Sequence, residues 1–339
     1  MELEFYNTED GIHFPALGLW LDSRQSAGES EIVFVSHAHS DHISKHRKVV
    51  LSHATSRLMK ERSRSKRVEE KLEFFKKREF IYGKNSYYLT LFPAGHILGS
   101  AMVLIEAFGV SILYTGDFKL SGSLTSEKCV PCHADYLIME TTFGMPAYRF
   151  PQVDNVARQI IDFCRATLSE KKTPILLCYS LGKSQDVLTI LGRGNMPVMV
   201  HNQVYKMTAV YGEFGYKFPG IEKLSVRKSK NKVVIIPPQV RNKITQLYVN
   251  KPISLAAITG WAIDSGAKYR LGVDAAFPLS NHSDFNELVE FVKIVNPRRV
   301  FTIHGFSSEF AVELNRLGYD AEPLEKSGQK WLPLTGWKG

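Results

Sequence analysis

The sequence predicts an α/β protein of two parts, and three observations carry that reading. From Ile32 to Asp135, short apolar runs rich in Val, Ile, Phe, Leu and Tyr alternate with turn residues, the pattern of a strand-rich domain covered by helices. After Pro151, buried-strand patterns alternate with helix-like stretches, as in parallel α/β units. From Pro278 the pattern returns to one helix and one strand. With 339 residues, 44% hydrophobic and 23% charged, the chain is composed as a globular protein, which excludes disorder as the whole account. A chain of this size buries a large core without covalent staples.

Within the first part, the segment from Arg57 to Glu79 holds ten basic and five acidic residues. Leu58, Val68, Leu72 and Phe75 recur there at roughly helical intervals, which predicts one or two surface helices. Their charges suit a solvated face or a phosphate-facing surface equally well. In the second part, Val153 to Leu168 has helical periodicity, and PILLCYS reads as a buried strand running into the helix LGKSQDVLTIL. Further strands are expected in MPVMVHN, KVVIIPP and SLAAITGW, then a helix in DFNELVEFVKIV and a strand in RRVFTIHG. Neither internal repeats nor low-complexity tracts interrupt the chain.

Forty-three Lys and Arg residues against 34 acidic ones give a formal charge of +9, which favours a polyanionic partner, nucleic acid ahead of an anionic membrane. No run approaches the about 18 to 20 apolar residues of a membrane span. The opening MELEFYNTED lacks the basic, apolar character of a signal peptide, and four cysteines are too few for a disulfide scaffold, so a cytoplasmic location is expected. Cys129 and Cys132 form CVPC with His133 following, the spacing of haem attachment and of half a zinc ribbon. No second CxxC completes a ribbon, and the segment reads as a proline-containing turn with two small thiols.

The strongest chemical signal is EIVFVSHAHSDHI, where an apolar strand stops and His37, His39, Asp41 and His42 fall within six positions. Residues two apart in an extended loop point the same way, so His37 and His39 can grip one metal ion while Asp41 and His42 turn towards a second. The grammar of an apolar strand followed by a polar residue recurs at His96, Asp117, Glu140, His282 and His304. Strand ends on one rim are where loops deliver functional residues, so these positions are candidates to converge. Asp22, after LGLWL, has the same placement and suits either a turn or a carboxylate that orients histidine ligands from behind. In the second part, YSLGKSQ puts Ser180, Gly182 and Lys183 where a strand passes into a helix. Amides and an ammonium can meet a phosphate there; the alternative is a serine-capped helix start with an exposed lysine.

HAHSDH, the glycine-flanked His96 and the aspartate of TGD together resemble the metallo-β-lactamase superfamily. METTFG, LSNHSD and TIHG resemble three further motifs of its β-CASP nucleases, and PAGHILGS, ETTFGMPAYRFP and CYSLGKSQ resemble the bacterial ligase-associated DNA exonuclease group. The resemblance covers nearly the whole chain. It implies an αββα sandwich formed by residues 1–150 and 278–339, with residues 151–277 inserted as an α/β β-CASP cap. It also implies two zinc ions, replaceable by manganese in vitro. His37, His39 and His96 would hold one, Asp41, His42 and His304 the other, and Asp117 would bridge them. A metal-bridging hydroxide would then attack a phosphodiester in line, in a groove between the two domains. His282, steered by Glu140, is a candidate general acid for the departing 3′ oxygen, and either residue is alternatively an orienting group.

The resulting expectation is a DNA end-processing exonuclease in repair, in one pathway with a DNA ligase and a helicase. A β-CASP ribonuclease in RNA processing is the runner-up, because His304 is kept by RNA-acting relatives and does not itself favour DNA. A small-molecule hydrolase on the same metal scaffold is disfavoured by the extra motifs and the basic charge. A non-catalytic nucleic-acid-binding subunit is disfavoured by the complete ligand set. His13, His46, His53, His133 and His201 match no motif and are assigned no role.

Overall fold

The computed structural model describes residues 3–25, 27–62, 66–324 and 328–332, with backbone alone for Asp41 and 328–332. The chain divides into two compact units. The first comprises Met1–Gly122, Ser126–Ala147 and His282–Gly339; the second comprises Ser123–Thr125 and Tyr148–Asn281.

The first unit contains two seven-stranded sheets. One runs, in spatial order, Gly328–Leu332, Leu3–Thr8, Gly11–Phe14, Leu19–Leu21, Ile32–Phe34, Lys48–Ser52 and Val68–Leu72. The other runs Ala321–Pro323, Arg299–Ile303, Tyr136–Glu140, Val110–Tyr114, Ala101–Ala107, Asn85–Pro93 and Arg78–Tyr82. Side chains alternate across a strand, and this sheet uses both faces. Val103, Ile105, Ile112, Tyr114, Tyr136 and Ile138 face a core shared with Phe5, Phe14 and Phe34 of the first sheet. The intervening Met102, Leu113, Leu137 and Met139 pack with Leu288, Phe291 and Phe310 from the helices Phe285–Val295 and Ser307–Arg316. Beyond the first sheet, the helix His53–Arg62 buries Leu58 and Met59 beside the Lys48–Ser52 and Val68–Leu72 strands. The layers are therefore αββα.

The second unit is a six-stranded, wholly parallel sheet in the order Ile221–Lys223, Val198–Val200, Val233–Ile236, Thr173–Leu177, Ile253–Ile258 and Ala275–Phe277. Its central strands Val233–Ile236 and Thr173–Leu177 are buried along their whole length because both faces are covered. Leu176, Val233 and Ile235 pack with Ile160, Val187 and Val204 of the helices Val153–Ser169, Lys183–Arg193 and Asn202–Glu213. Ile175, Leu177, Val234 and Ile236 face Ile244 and Tyr248.

Two expectations change. The unit boundaries fall at Ala147 and Asn281 rather than at 150 and 277, and Ser123–Thr125 also belongs to the second unit. Buried hydrogen bonds tie Thr125 and Asn281 to the second unit: Asp186 accepts from Thr125 Oγ1 at 2.6 Å and from Asn281 Nδ2 at 2.6 Å. The stretch from Arg57 to Glu79 is helical only to Arg62; Val68–Leu72 is a strand, parallel to Lys48–Ser52, and a further strand starts at Arg78. Both are edge strands, where charged side chains face water and discourage pairing with another chain, so their polarity imitates a surface helix.

Candidate metal centre

The Ile32–Phe34 strand delivers Ser36 and His37 into the interior, and both are buried. Asp22 waits there, in a left-handed backbone conformation with φ 45°. Its Oδ1 accepts the Ser36 amide at 2.8 Å; its Oδ2 accepts the Ser36 hydroxyl at 2.6 Å and the Tyr114 hydroxyl at 2.8 Å. The same Oδ2 lies 3.0 Å from His42 Nδ1. Burial opposes the Asp22 charge, but His42 and the Ser36 hydrogen bonds outweigh it and hold the carboxyl below its usual range.

This network sets the His37 tautomer. With its proton given to Asp22, the Ser36 hydroxyl accepts from His37 Nδ1 at 3.0 Å, which leaves the lone pair on His37 Nε2. His42 Nδ1 lies 3.0 Å from Asp22 Oδ2, and its Nε2 lies 3.8 Å from Asp117 Oδ2. Burial and the neighbouring His42, His39, His96 and His282 push the His37 pKa well below its ordinary value, so the ring stays neutral.

His96 sits in the turn after the Asn85–Pro93 strand, where its amide and that of Ile97 donate to Ser100 Oγ. Gly99 locks the turn: its carbonyl accepts from Ser52 Oγ at 2.6 Å and Thr55 Oγ1 at 2.9 Å, and its amide donates to Glu127 Oε2 at 2.8 Å. Asp117 follows the Val110–Tyr114 strand through Gly116, whose φ is 51° and where a Cβ would stand 2.5 Å from Ser36 Cβ. Only glycine fits that crossing.

His37, His39, His96 and Asp117 thereby offer four ligand atoms within 4.8 Å of one another. His39 Nδ1 lies 2.9 Å from His37 Nε2 and 3.2 Å from His96 Nε2. Asp117 Oδ2 lies 3.5 Å from His37 Nε2 and 3.8 Å from His96 Nε2. Ligands on a tetrahedral zinc, with bonds of about 2.0–2.1 Å, stand about 3.3 Å apart, so both the spacing and the nitrogen–carboxylate donor set fit such an ion. Burial and then Glu140 raise the Asp117 pKa, against His282, His42 and His304, which lower it.

A second group of converging atoms is Asp117, Glu140 and His282. Glu140 is buried at the end of Tyr136–Glu140; it accepts the amides of Phe118 at 3.1 Å and Thr142 at 3.0 Å, and its Oε1 lies 2.8 Å from His282 Nδ1. Burial works against the Glu140 charge, and the His282 pairing with these amides still lowers its pKa. The residue after His282 is tied to the Asp117 turn, since the Ser283 amide donates to the Phe118 carbonyl and Ser283 Oγ accepts from the Leu120 amide, both at 2.9 Å. The His282 ring stands 4.6 Å from that of His96.

His304 belongs to neither converging group among the described residues. It is exposed, with φ 59°, and its carbonyl accepts from Thr141 Oγ1 at 2.6 Å. The following Gly305 has φ 57° and passes so close to the Thr141 carbonyl that a Cβ would lie 2.5 Å from it. Asp41 lies in the 3-10 turn Ser40–His42, and its side chain is outside the described residues.

The Ser180–Lys183 turn lies in the second unit and faces inward. The Gly182 amide donates to Gln185 Oε1 at 2.7 Å, and the Ser180 carbonyl accepts from Gln185 Nε2 at 3.3 Å. Lys183 is 6% exposed, and its Nζ donates to the Leu279 carbonyl at 2.6 Å. It is a buried tie to the segment after Ala275–Phe277, neither a solvent-facing phosphate ligand nor the exposed lysine of a plain helix start. Cys129 and Cys132 pack against the core, and burial pushes both thiols up to about 12. Sequence reasoning missed Ser36 and Tyr114, which orient Asp22; nothing in a serine beside a histidine or a tyrosine in a strand marks that role.

Residues 275–320, which carry His282 and His304, match the family described as a Zn-dependent metallo-hydrolase RNA specificity domain. The chain is 43% identical over 325 residues to a protein of Opitutus terrae named probable DNA ligase, covering 96% of this chain and 31% of that protein. It is 25% identical over 345 residues to an RNase J-like protein of Methanocaldococcus jannaschii, covering 81% of each. It is also 25% identical over 285 residues to Endoribonuclease YSH1 of Kluyveromyces lactis, covering 66% of this chain and 37% of that protein. The chain therefore spans about a third of the ligase-named relative. Among the described residues, no helix is long and apolar enough to cross a membrane.

Proposed function

We propose that the chain is a β-CASP metallo-hydrolase, a zinc-dependent nuclease that shortens DNA from its ends before joining; the family match of residues 275–320 and the nuclease- and ligase-named relatives support this reading. The observation that carries the reading is the contact of two constellations: the metal-fitting His37, His39, His96 and Asp117, and the Glu140–His282 pair beside them. The preference for DNA is supported by the 43% identical relative named as a ligase, in which sequence like this chain occupies 31% of the whole. A DNA ligase is accordingly the pathway partner.

His37, His39, His96 and Asp117 would hold one ion, and Asp41, His42 and His304, sharing Asp117, a second. Bound there, divalent ions supply Lewis acidity at the phosphoryl oxygen and an activated water as nucleophile. Asp22, through Ser36, keeps the His37 lone pair turned towards the centre. Glu140 holds His282 by Nδ1, so Nε2 is the atom placed to give a proton to the departing 3′ oxygen.

A second reading, a ribonuclease, is favoured by the RNA-specificity description of residues 275–320 and by the names of the RNase J-like and endoribonuclease relatives. Purified protein given DNA and RNA strands of one sequence, labelled at either end, with zinc or manganese and an Asp117→Asn control, decides between them. Metal-dependent shortening of DNA alone supports the first reading, and the first label released gives the polarity. Preferential RNA cleavage promotes the second. If neither strand is cut by zinc-loaded protein, the nuclease reading is lost.

A further inference from the structure

Two residues of the second unit hold the chain that leads to His282. Lys183 and Asp186 stand three apart in the first turn of the helix Lys183–Arg193, so their side chains share one face. Lys183 Nζ donates to the Leu279 carbonyl at 2.6 Å. Asp186 Oδ2 accepts from Asn281 Nδ2 at 2.6 Å, and its Oδ1 accepts from Thr125 Oγ1 at 2.6 Å. Asn281 Nδ2 also donates to Ser123 Oγ at 2.9 Å. Asp186 and Asn281 are buried, and a buried carboxylate is costly unless such bonds compensate it. Asn281 is the residue before His282; Ser283, the residue after it, is fixed by the Phe118 carbonyl and the Leu120 amide. Glu140 holds the imidazole at Nδ1. His282 is therefore fixed at three points, and Asp186 controls one of them.

We infer that Asp186 is a positioning residue for His282: by holding Asn281 it sets the backbone from which the imidazole reaches the departing oxygen. This rests on the nuclease reading above and adds to it a residue outside both converging groups. Apolar packing at positions 186 and 281 would be enough to bury the segment. A hydrogen bond adds a direction, which fixes the Asn281 side chain and with it the adjoining backbone. A ring held at Nδ1 alone can still swing about that bond, and a displacement of about 1 Å at a reacting group can cost about 10²-fold in rate.

The test reverses the bond. Zinc-loaded wild-type, Asn281→Asp and the double variant Asp186→Asn with Asn281→Asp are compared in steady-state cleavage of a short labelled oligonucleotide, with zinc content and denaturant unfolding measured for each. Asn281→Asp sets two carboxylates face to face and breaks the bond. In the double variant an amide at position 186 donates to a carboxylate at 281 and keeps an acceptor for Thr125, while the Ser123 hydroxyl can turn to donate. The expected result is a kcat about 10- to 100-fold lower in Asn281→Asp, with KM and zinc content retained, and most of the loss recovered in the double variant. Asn281→Ala removes the same donor without adding a charge and should show the same loss, which keeps the test open should Asn281→Asp fail to fold. Thr125→Val removes the other bond to Asp186 and should lower stability without lowering kcat. A double variant as slow as Asn281→Asp, or a kcat in Asn281→Ala equal to wild type, overturns the inference. So does an equal loss of kcat in Thr125→Val, which would mark a general loosening of the second unit. If wild-type protein with full zinc cuts no strand, the nuclease reading itself fails, an outcome distinct from wild-type cleavage that these substitutions do not affect.

Discussion

Glu140 Oε1 and His282 Nδ1 stand 2.8 Å apart although 142 positions separate them in the chain. The carboxylate is buried and fixed by two backbone amides, whereas His282 keeps a quarter of its side chain exposed. A rigid acceptor behind an accessible ring is the arrangement a proton donor requires. His282→Ala should therefore lower kcat by about 10²- to 10⁴-fold with zinc retained. Glu140→Gln, which keeps an acceptor oxygen, should cost less. Rapid-quench cleavage with parallel metal analysis measures both, and unchanged turnover in His282→Ala would remove the proton-donor role.

Asp22 serves Ser36, Tyr114 and His42 at once. In Asp22→Ala, buried donors lose their acceptor, at a cost of about 3 kcal/mol in stability. The tautomer of His37 is no longer imposed, the charge beside His42 is lost, and zinc affinity should fall about 10- to 100-fold. Competition with a chelator and denaturant unfolding check the two effects separately; wild-type zinc affinity would refute the orienting role.

Lys183 donates to the Leu279 carbonyl from inside the second unit. Lys183→Ala should destabilise the protein by about 1–3 kcal/mol, as a buried carbonyl loses its donor. Because the ammonium is buried, the salt dependence of cleavage should not change. A reduced salt slope without loss of stability would return this residue to phosphate binding.

Thiol chemistry gives the pH prediction. Burial first, with Glu287 and Cys132 adding for Cys129 and Glu106 for Cys132, raises both thiols from 9.0 to about 12; burial alone raises Cys164 to about 12. The folded state therefore keeps protons that the unfolded chain releases above pH 9, so this contribution to stability is complete below that value. It is lost as pH climbs towards 12. The unfolding midpoint in denaturant should fall over that interval, and native protein at pH 8.5 should react with iodoacetamide far more slowly than unfolded protein. Equal rates would contradict the burial.

What the sequence determined by itself was a set of candidate ligands and their chain order. His37, His39, His96 and Asp117 are legible as converging nitrogen and oxygen donors because each follows an apolar run, which leaves a local signature. The alternating sheets were legible for the same reason, since side-chain period follows from strand geometry.

Only the tertiary structure decided what depends on a distant partner. Val68–Leu72 carries the charges of a surface helix and is a strand because Lys48–Ser52 offers it a free edge. Lys183 resembles a phosphate ligand and turns inward because the Leu279 carbonyl, 96 positions away, requires a donor. Asp22 became an orienting residue because folding closes Ser36, Tyr114 and His42 around it. Propensity and spacing act through neighbours in the chain, whereas buried polar groups must be satisfied by whatever the fold brings beside them.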